Sequence, residues 1–417
     1  MLKQSIAIIG GGASGLYSAL HAAREAHSKE VSITIFEANS QGGRKLLITG
    51  SSQCNITNSA PVSELITHYH DKKKEIETIL NAYSTKETLR TFTQLGLNLT
   101  TRDDKKVFPS SFDARDVLHV LLKGIQSENI QIRYQQRIEK VIYENNSFSL
   151  YHNNTNIGSF DALIIATGGF TFPKTGSKGD GYHISSLLGH SIVKPQVALT
   201  GVKVKDNSLH SLSGLTIENT SVEIRPNEWK KGSLLITHEG LSGPVIINAS
   251  RYLSTGNTIR ISYLTDQNGE RRGAKEVQKE ITLLCEKMNK SLFKTVLYTL
   301  PIPSSLIDYL LEKNNIDGNK KASEVGKKTL KAIAISLTQD VFSLNKDHME
   351  NKGMITTGGV SLSEIELSTM QSTIVPHLFF CGEVIDIDGE TGGYNLQLAW
   401  STGAIAGREA VKSLFPN

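Results

Sequence analysis

The chain has 417 residues, 38% hydrophobic and 21% charged, and its 45 lysines and arginines against 41 aspartates and glutamates leave a formal charge of +4. This balance describes a soluble globular protein of two or three domains and excludes a disordered chain, a fibrous repeat and a polytopic membrane protein. The small net charge, with no dense basic block in the sequence, argues against a dedicated nucleic-acid binder. Three cysteines (Cys54, Cys285 and Cys381) are too few and too dispersed for a disulfide framework or an all-cysteine zinc site, so a reducing, cytoplasmic setting is expected. The 35 glycines are clustered, and the clusters guide the reading that follows.

Residues 4–23 lack Asp, Glu, Lys and Arg, but Gly10, Gly11 and Gly12 break the apolar run, so it is read as neither a signal peptide nor a membrane span. Ser5 to Ile9 reads as a short buried strand. GGGASG at 10–15 follows with G-x-G-x-x-G spacing, then a helical pattern over 16–27 and a β-branched strand, VSITIF, at 31–36. Glu37 closes a βαβ unit with the acid in the expected place. Gly10 permits the tight turn, Gly12 lets a pyrophosphate approach the backbone, and Gly15 allows close helix–sheet packing. Ala13 and Ser14 complete the motif at the helix start, where free N–H groups and a partial positive charge favour phosphate. Glu37 is suited to accept hydrogen bonds from a ribose diol. The unit alone leaves FAD and NAD open, because both carry this ADP half.

Further strands end in glycine turns: DALIIA at 161–166 before Thr167-Gly168-Gly169, and LFFC at 378–381 before Gly382-Glu383. Gly392-Gly393-Tyr394-Asn395 then opens a helix from about residue 396 to 412. Between these halves, 197–263 is rich in β-branched strands, including VIINAS at 245–250, and reads as a small antiparallel sheet or barrel. Candidate helices follow at 275–289, 292–300, 304–314 and 323–344, with Pro301 and Pro303 as breaks. The expected fold is α/β: a Rossmann-like FAD-binding domain with a mostly parallel sheet, in segments 1–192 and 351–417, interrupted by a β-barrel-like subdomain (193–272) and a helical subdomain (273–350). A chain that returns at its C-terminus to finish a nucleotide site points to the longer FAD.

The sequence resembles a bacterial family of FAD-dependent flavoproteins, described as aminoacetone oxidase-like or 3-dehydro-bile-acid reductase-like, within the glutathione-reductase-like superfamily. The resemblance rests on GGGASG at 10–15, GGRKLLITG at 42–50, CNITN at 54–58, ATGG at 166–169, TGSKGDGY at 175–182, THEGLSGP at 237–244, TTGGV at 356–360 and GEVIDIDGETGGYNLQLAWSTG at 382–403. It implies extended FAD. Gly10, Gly12, Gly15 and Glu37 would hold the ADP half, Arg44 the pyrophosphate with Lys45 beside it, and Ile138, in a strand-like stretch at 137–142, the adenine. Thr167 and Gly168 would lie on the adenosine side, Gly382 and Glu383 at the second pyrophosphate and ribityl contact, and Cys54 near the flavin. Asn395, Leu396 and Gln397 would open the last helix beneath the flavin's pyrimidine edge. The chain departs from the family at Ser51-Ser52-Gln53, where many members have Gly-Gly-Arg, and at Glu239 after His238.

Flavin carries hydride chemistry itself, so protein acids or bases are needed only for protons. His238, in a glycine-rich loop, and Tyr394, before the flavin-facing helix, are the candidates. Cys54 is a lone thiol, which disfavours disulfide-reductase chemistry; His68-Tyr69-His70 is expected at the surface, with no metal bound. No second G-x-G-x-x-G follows a strand, so NAD(P)H, if used, docks transiently. The expected function is reduction of an activated C=C or C=O in a small, apolar molecule. An oxidase of small amines or aminoketones, or a flavin-binding regulatory or RNA-associated protein, are the alternatives. A small-molecule substrate is the expected partner, with no membrane and no nucleic acid; oligomeric state is open.

Overall fold

The structure is a computed structural model that describes residues 3–27, 29–205, 208–253, 258–266, 268–345 and 353–416. The chain divides into two compact units, Met1–Gln196 with Met354–Asn417, and Val197–Gly353.

In the first unit the strand Gln4–Ile9 lies in the middle of a seven-stranded sheet. It pairs in parallel with Val31–Phe36 on one side and Ala162–Ile165 on the other. Gln131–Arg133 extends the first side in parallel, and Leu378–Phe380 the second. Two short antiparallel strands, Ile365–Glu366 and Gln371–Ser372, finish that edge. Ile6, Ala7, Ile8, Ile164 and Phe379 are fully buried, as expected for parallel strands covered on both faces; each such large side chain contributes about 1.5–3 kcal/mol.

The helix Ala13–Ala26 packs along the C-terminal helix Tyr394–Leu414. Small residues set the approach: a Cβ on Gly407 would lie 2.1 Å from the Ser18 carbonyl oxygen. Trp400, fully buried, donates its indole N–H to the Ile56 carbonyl at 3.0 Å. The last sixth of the chain thus completes the sheet and the helix layer that the first forty residues begin.

The second unit is a closed six-stranded antiparallel barrel, in the order Val202–Val204, Gly240–Ser242, Glu228–Thr237, Thr216–Arg225, Thr258–Ser262, Asp340–Asn345. The helices Ala274–Lys287, Phe293–Leu297, Ser304–Lys313 and Lys327–Gln339 share one hydrophobic core with it.

Three local expectations are corrected. VIINAS belongs to a helix, Pro244–Leu253, which buries Val245, Ile246, Ala249 and Leu253 on one face; proline suits the first turn, and the β-branched run masked a helical period. The expected helix 323–344 stops at Gln339, and Asp340–Asn345 becomes a barrel strand with alternate residues buried. The strand expected at 137–142 is Lys140–Glu144, which leaves Ile138 in the preceding loop. No described helix is long and apolar enough to cross a membrane.

Candidate functional site

The residues expected to hold FAD converge in the first unit at the carboxyl ends of its parallel strands. The turn after Gln4–Ile9 is closed on its inner side. A Cβ on Gly10 would lie 2.4 Å from the Ala166 carbonyl oxygen, and one on Gly15 1.9 Å from that of Gly10. Gly12 is different, for nothing lies within 4 Å of its would-be Cβ. It caps the helix without a side-chain cap or an acid in the first turn, so the helix N–H groups face an open cradle suited to phosphate. Ala13 opens this helix, and Ser14, buried, directs its hydroxyl to the Cys381 carbonyl at 3.5 Å. Gly382 sits over Ser14, where a Cβ would lie 2.4 Å from the serine Oγ.

Glu37 is 7% exposed. Its Oε2 accepts from the Gly11 N–H at 2.8 Å, and its Oε1 from the N–H and Nδ2 of Asn39 at 2.8 and 2.6 Å. A carboxylate has about four lone-pair sites, so three bonds hold the loops and leave room for a ribose hydroxyl. Asn39 also accepts from exposed Arg44 at 3.0 Å. The segment carrying Ile138 comes alongside, since Gln135 and Gln136 donate to the Asn39 and Glu37 carbonyls at 2.9 and 3.0 Å. Ile138 itself is 2% exposed.

Lys45 and Glu383, both expected at the cofactor, meet each other. Lys45 Nζ lies 2.7 Å from Glu383 Oε2 and 2.9 Å from Thr171 Oγ1, and the Thr356 N–H donates to Glu383 Oε1 at 2.6 Å. Gly168 adopts a left-handed backbone (φ +71°). Thr167 Oγ1 is turned toward Gly181, 2.1 Å from its would-be Cβ.

At the far end of the site, side chains expected to face the flavin are committed to the protein. Asn395 Oδ1 accepts from the Gly389 N–H at 2.9 Å, and its Nδ2 donates to the Gly389 carbonyl at 2.7 Å. Gln397, fully buried, accepts from Thr57 at 2.6 Å and donates to Thr88 and Ser401 at 2.9 and 2.8 Å. Leu396 is half-buried. With the polar side chains of Asn395 and Gln397 so spent, the backbone of this first turn, which has no acid and no side-chain cap, remains available to a ligand. Cys54 is fully buried, and burial pushes its thiol up to about 12, so it is a packing group and not a thiolate.

Two buried acceptors, Asn55 Oδ1 and Gln136 Oε1, have no hydrogen-bond partner among the described residues. Buried polar atoms are rarely left so. One lies beside Cys54 and the other beside Ile138, and together with the Gly12 cradle they fit a long, polar dinucleotide.

Tyr394 is 5% exposed; Asn58 Nδ2 donates to its hydroxyl at 3.4 Å. Burial, and then Glu390, push its phenol up to about 12, so it is a neutral donor at physiological pH. The His68 ring stacks on it at 4.3 Å and is held by Glu390 at 2.8 Å. The 68–72 segment is therefore no surface cluster. Tyr69 is fully buried and the His70 side chain 1% exposed. Lys72, His70 and His68 oppose Asp386, Asp388 and Glu390 at 3.2, 3.6 and 2.8 Å. Sequence reasoning missed this pairing, whose signal was two alternating runs, H-x-H-x-K and D-x-D-x-E. It also missed Asn39, Asn55, Thr171 and Thr356. His238 belongs to the second unit, at the exposed tip between Glu228–Thr237 and Gly240–Ser242.

A family described as the HI0933-like protein Rossmann domain matches residues 4–409. The chain belongs to the HI0933-like family. With that family it stands among the FAD-dependent oxidoreductases. This HI0933-like chain is 28% identical to a 3-dehydro-bile acid delta(4,6)-reductase of Clostridium scindens, over 98% of its length and 99% of the relative's. It is also 28% identical to a ribosomal RNA dihydrouridine synthase of Haemophilus influenzae, over 95% of each chain. In fold it is similar to the 3-ketosteroid delta1-dehydrogenase of Sterolibacterium denitrificans, with a TM-score of 0.51 at 10% identity, over 98% of this chain and 100% of that one.

Proposed function

We propose that the protein reduces a carbon–carbon double bond conjugated to a carbonyl in a small organic substrate, with a reduced nicotinamide as a transient donor. The observation that carries this reading is a bond shared by its full-length relatives. A 3-dehydro-bile acid with delta(4,6) unsaturation is a conjugated enone, and the step from uridine to dihydrouridine saturates a double bond conjugated to a ring carbonyl.

FAD, when bound, supplies the hydride. The Gly12 cradle and Glu37 would bind its ADP half, and the backbone at the start of the Tyr394–Leu414 helix would face the flavin with the positive end of a helix dipole. Lys45, tied to Glu383, would hold a cation near the middle of the cofactor. Reduction of the double bond also needs one proton, at the carbon next to the carbonyl. Tyr394, protonated at neutral pH and stacked on His68, suits that role, and the Glu390–His68 pair could resupply the proton.

The test is anaerobic stopped-flow mixing of the FAD-loaded protein with NADH or NADPH, followed by a 3-oxo-4,6-diene steroid or uridine. Bleaching by the nicotinamide, recovery of colour with the substrate and a product heavier by two hydrogens are expected. Recovery with oxygen alone would overturn the reading.

A further inference from the structure

The second unit holds a cavity of about 490 Å³ whose walls all come from that unit, whereas the residues expected to hold FAD lie in the first. Three segments build it: the start of the strand Thr216–Arg225, residues 263–265 after the strand Thr258–Ser262, and residues 300–303 before the helix Ser304–Lys313. Small-ligand sites occupy about 300–1,000 Å³, so the size is that of a binding site. The strand wall is made by a bulge. Ile217 pairs with Leu234 and Thr220 with Gly232, so Glu218 and Asn219 stand opposite Ser233 alone, and Asn219 takes a left-handed backbone, φ +55°. Regular pleating turns successive residues to opposite faces. A bulge re-aims them, and here both Glu218 and Asn219 are exposed and both line the cavity.

The other walls are stiff. Pro301 and Pro303 each fix a backbone dihedral, and between them the Ile302 N–H closes a tight turn on the Leu300 carbonyl at 2.8 Å. Tyr263 is 2% exposed, and its phenol donates to Asp340 Oδ2 at 2.8 Å. Lys313 Nζ holds Asp340 Oδ1 at 2.6 Å, so a buried carboxylate with two partners fixes this side chain. The polar lining, by contrast, is uncommitted. The side chains of Thr216, Glu218, Asn219 and Thr265 make no hydrogen bond or ion pair among the described residues. Glu218 is the one charged residue of the eleven described residues that line the cavity.

We propose that this cavity is a second ligand site, which takes a small organic cation: an amine on a compact apolar body. Glu218 pairs with the ammonium, and Asn219 and the threonine hydroxyls accept its remaining N–H groups. Leu264, Leu300, Ile302 and the two prolines take the apolar body. The competing chemistry is an anion, because the helix Ser304–Lys313 begins at Pro303 with no acid in its first turn. No cationic side chain lines the cavity to support one, and the Glu218 carboxylate opposes it.

The test is ligand-observed NMR titration of the full-length, FAD-loaded protein with three matched probes, benzylamine, benzyl alcohol and benzoate, at low salt. Benzylamine should bind most tightly, by about fivefold over benzyl alcohol, and benzoate most weakly. Glu218→Gln, at an exposed position, should bring the three within about twofold. Thr216→Trp, which fills the cavity from an exposed strand position, should abolish binding of all three. Circular dichroism and flavin spectra of both variants should match the wild type. Benzoate bound as tightly as benzylamine would give the cavity to the helix Ser304–Lys313 and overturn the proposal. Absence of binding overturns it too, as does a preference for the amine that Glu218→Gln leaves unchanged.

Discussion

At the scale of residues, the acid limb of stability should carry the mark of His21. It is 7% exposed, and burial, with Arg24 and Arg408 nearby, holds its imidazole down at about 3. The folded state resists protonation that the unfolded chain accepts below about 6.5. Its contribution is therefore complete above that pH and is lost as pH falls toward 3, at about 1.4 kcal/mol per pH unit. His21→Gln, which removes the titration, should flatten urea-unfolding free energies plotted over that range. Tyr394→Phe removes the proposed proton donor but keeps the ring against His68. FAD content should persist and kcat on an enone should fall about 10²–10⁴-fold; an unchanged kcat would return Tyr394 to a packing role. Glu37→Ala should weaken FAD binding, read as flavin lost on gel filtration, because it removes the bonds to Gly11 and Asn39 as well as the ribose acceptor.

At the scale of elements, the glycine motifs were legible because they mark places where a Cβ has no room, as at Gly10 and Gly15, or where the backbone stays open, as at Gly12. Gly10, Gly15 and Gly407 admit no Cβ. Gly407→Ala in the contact between Ala13–Ala26 and Tyr394–Leu414 should cost about 1–3 kcal/mol, seen as a lowered Tm. The side chains at the flavin end were not legible in the same way. Asn395 and Gln397 stand where a motif suggests ligand contact, yet their polar atoms are spent on Gly389, Thr57, Thr88 and Ser401. Two of the partners of Gln397, Thr57 and Thr88, lie 340 and 309 residues away in the chain. Pro244–Leu253 and Asp340–Asn345 were misread for a related reason: a short apolar run fits either period until its neighbours choose one.

At the scale of the whole molecule, the strand Ile192–Ala198 pairs with Ile355–Val360, so the chain leaves the first unit and re-enters it at adjacent positions. Replacing residues 197–353 by a short Gly-Ser linker should leave a protein that still binds FAD, read by its visible spectrum. Truncation before Leu378 removes a parallel strand and the helix packed on Ala13–Ala26 and should abolish folding, read by circular dichroism. The sequence by itself determined the nucleotide-binding half, the family and the return of the C-terminus to one sheet, because these rest on local spacing of glycines and apolar strands. Only the tertiary structure decided that Lys45 meets Glu383 and that His68 stacks on Tyr394. Those contacts join residues far apart in the chain, and no local pattern specifies which of many polar partners the packed core brings within reach.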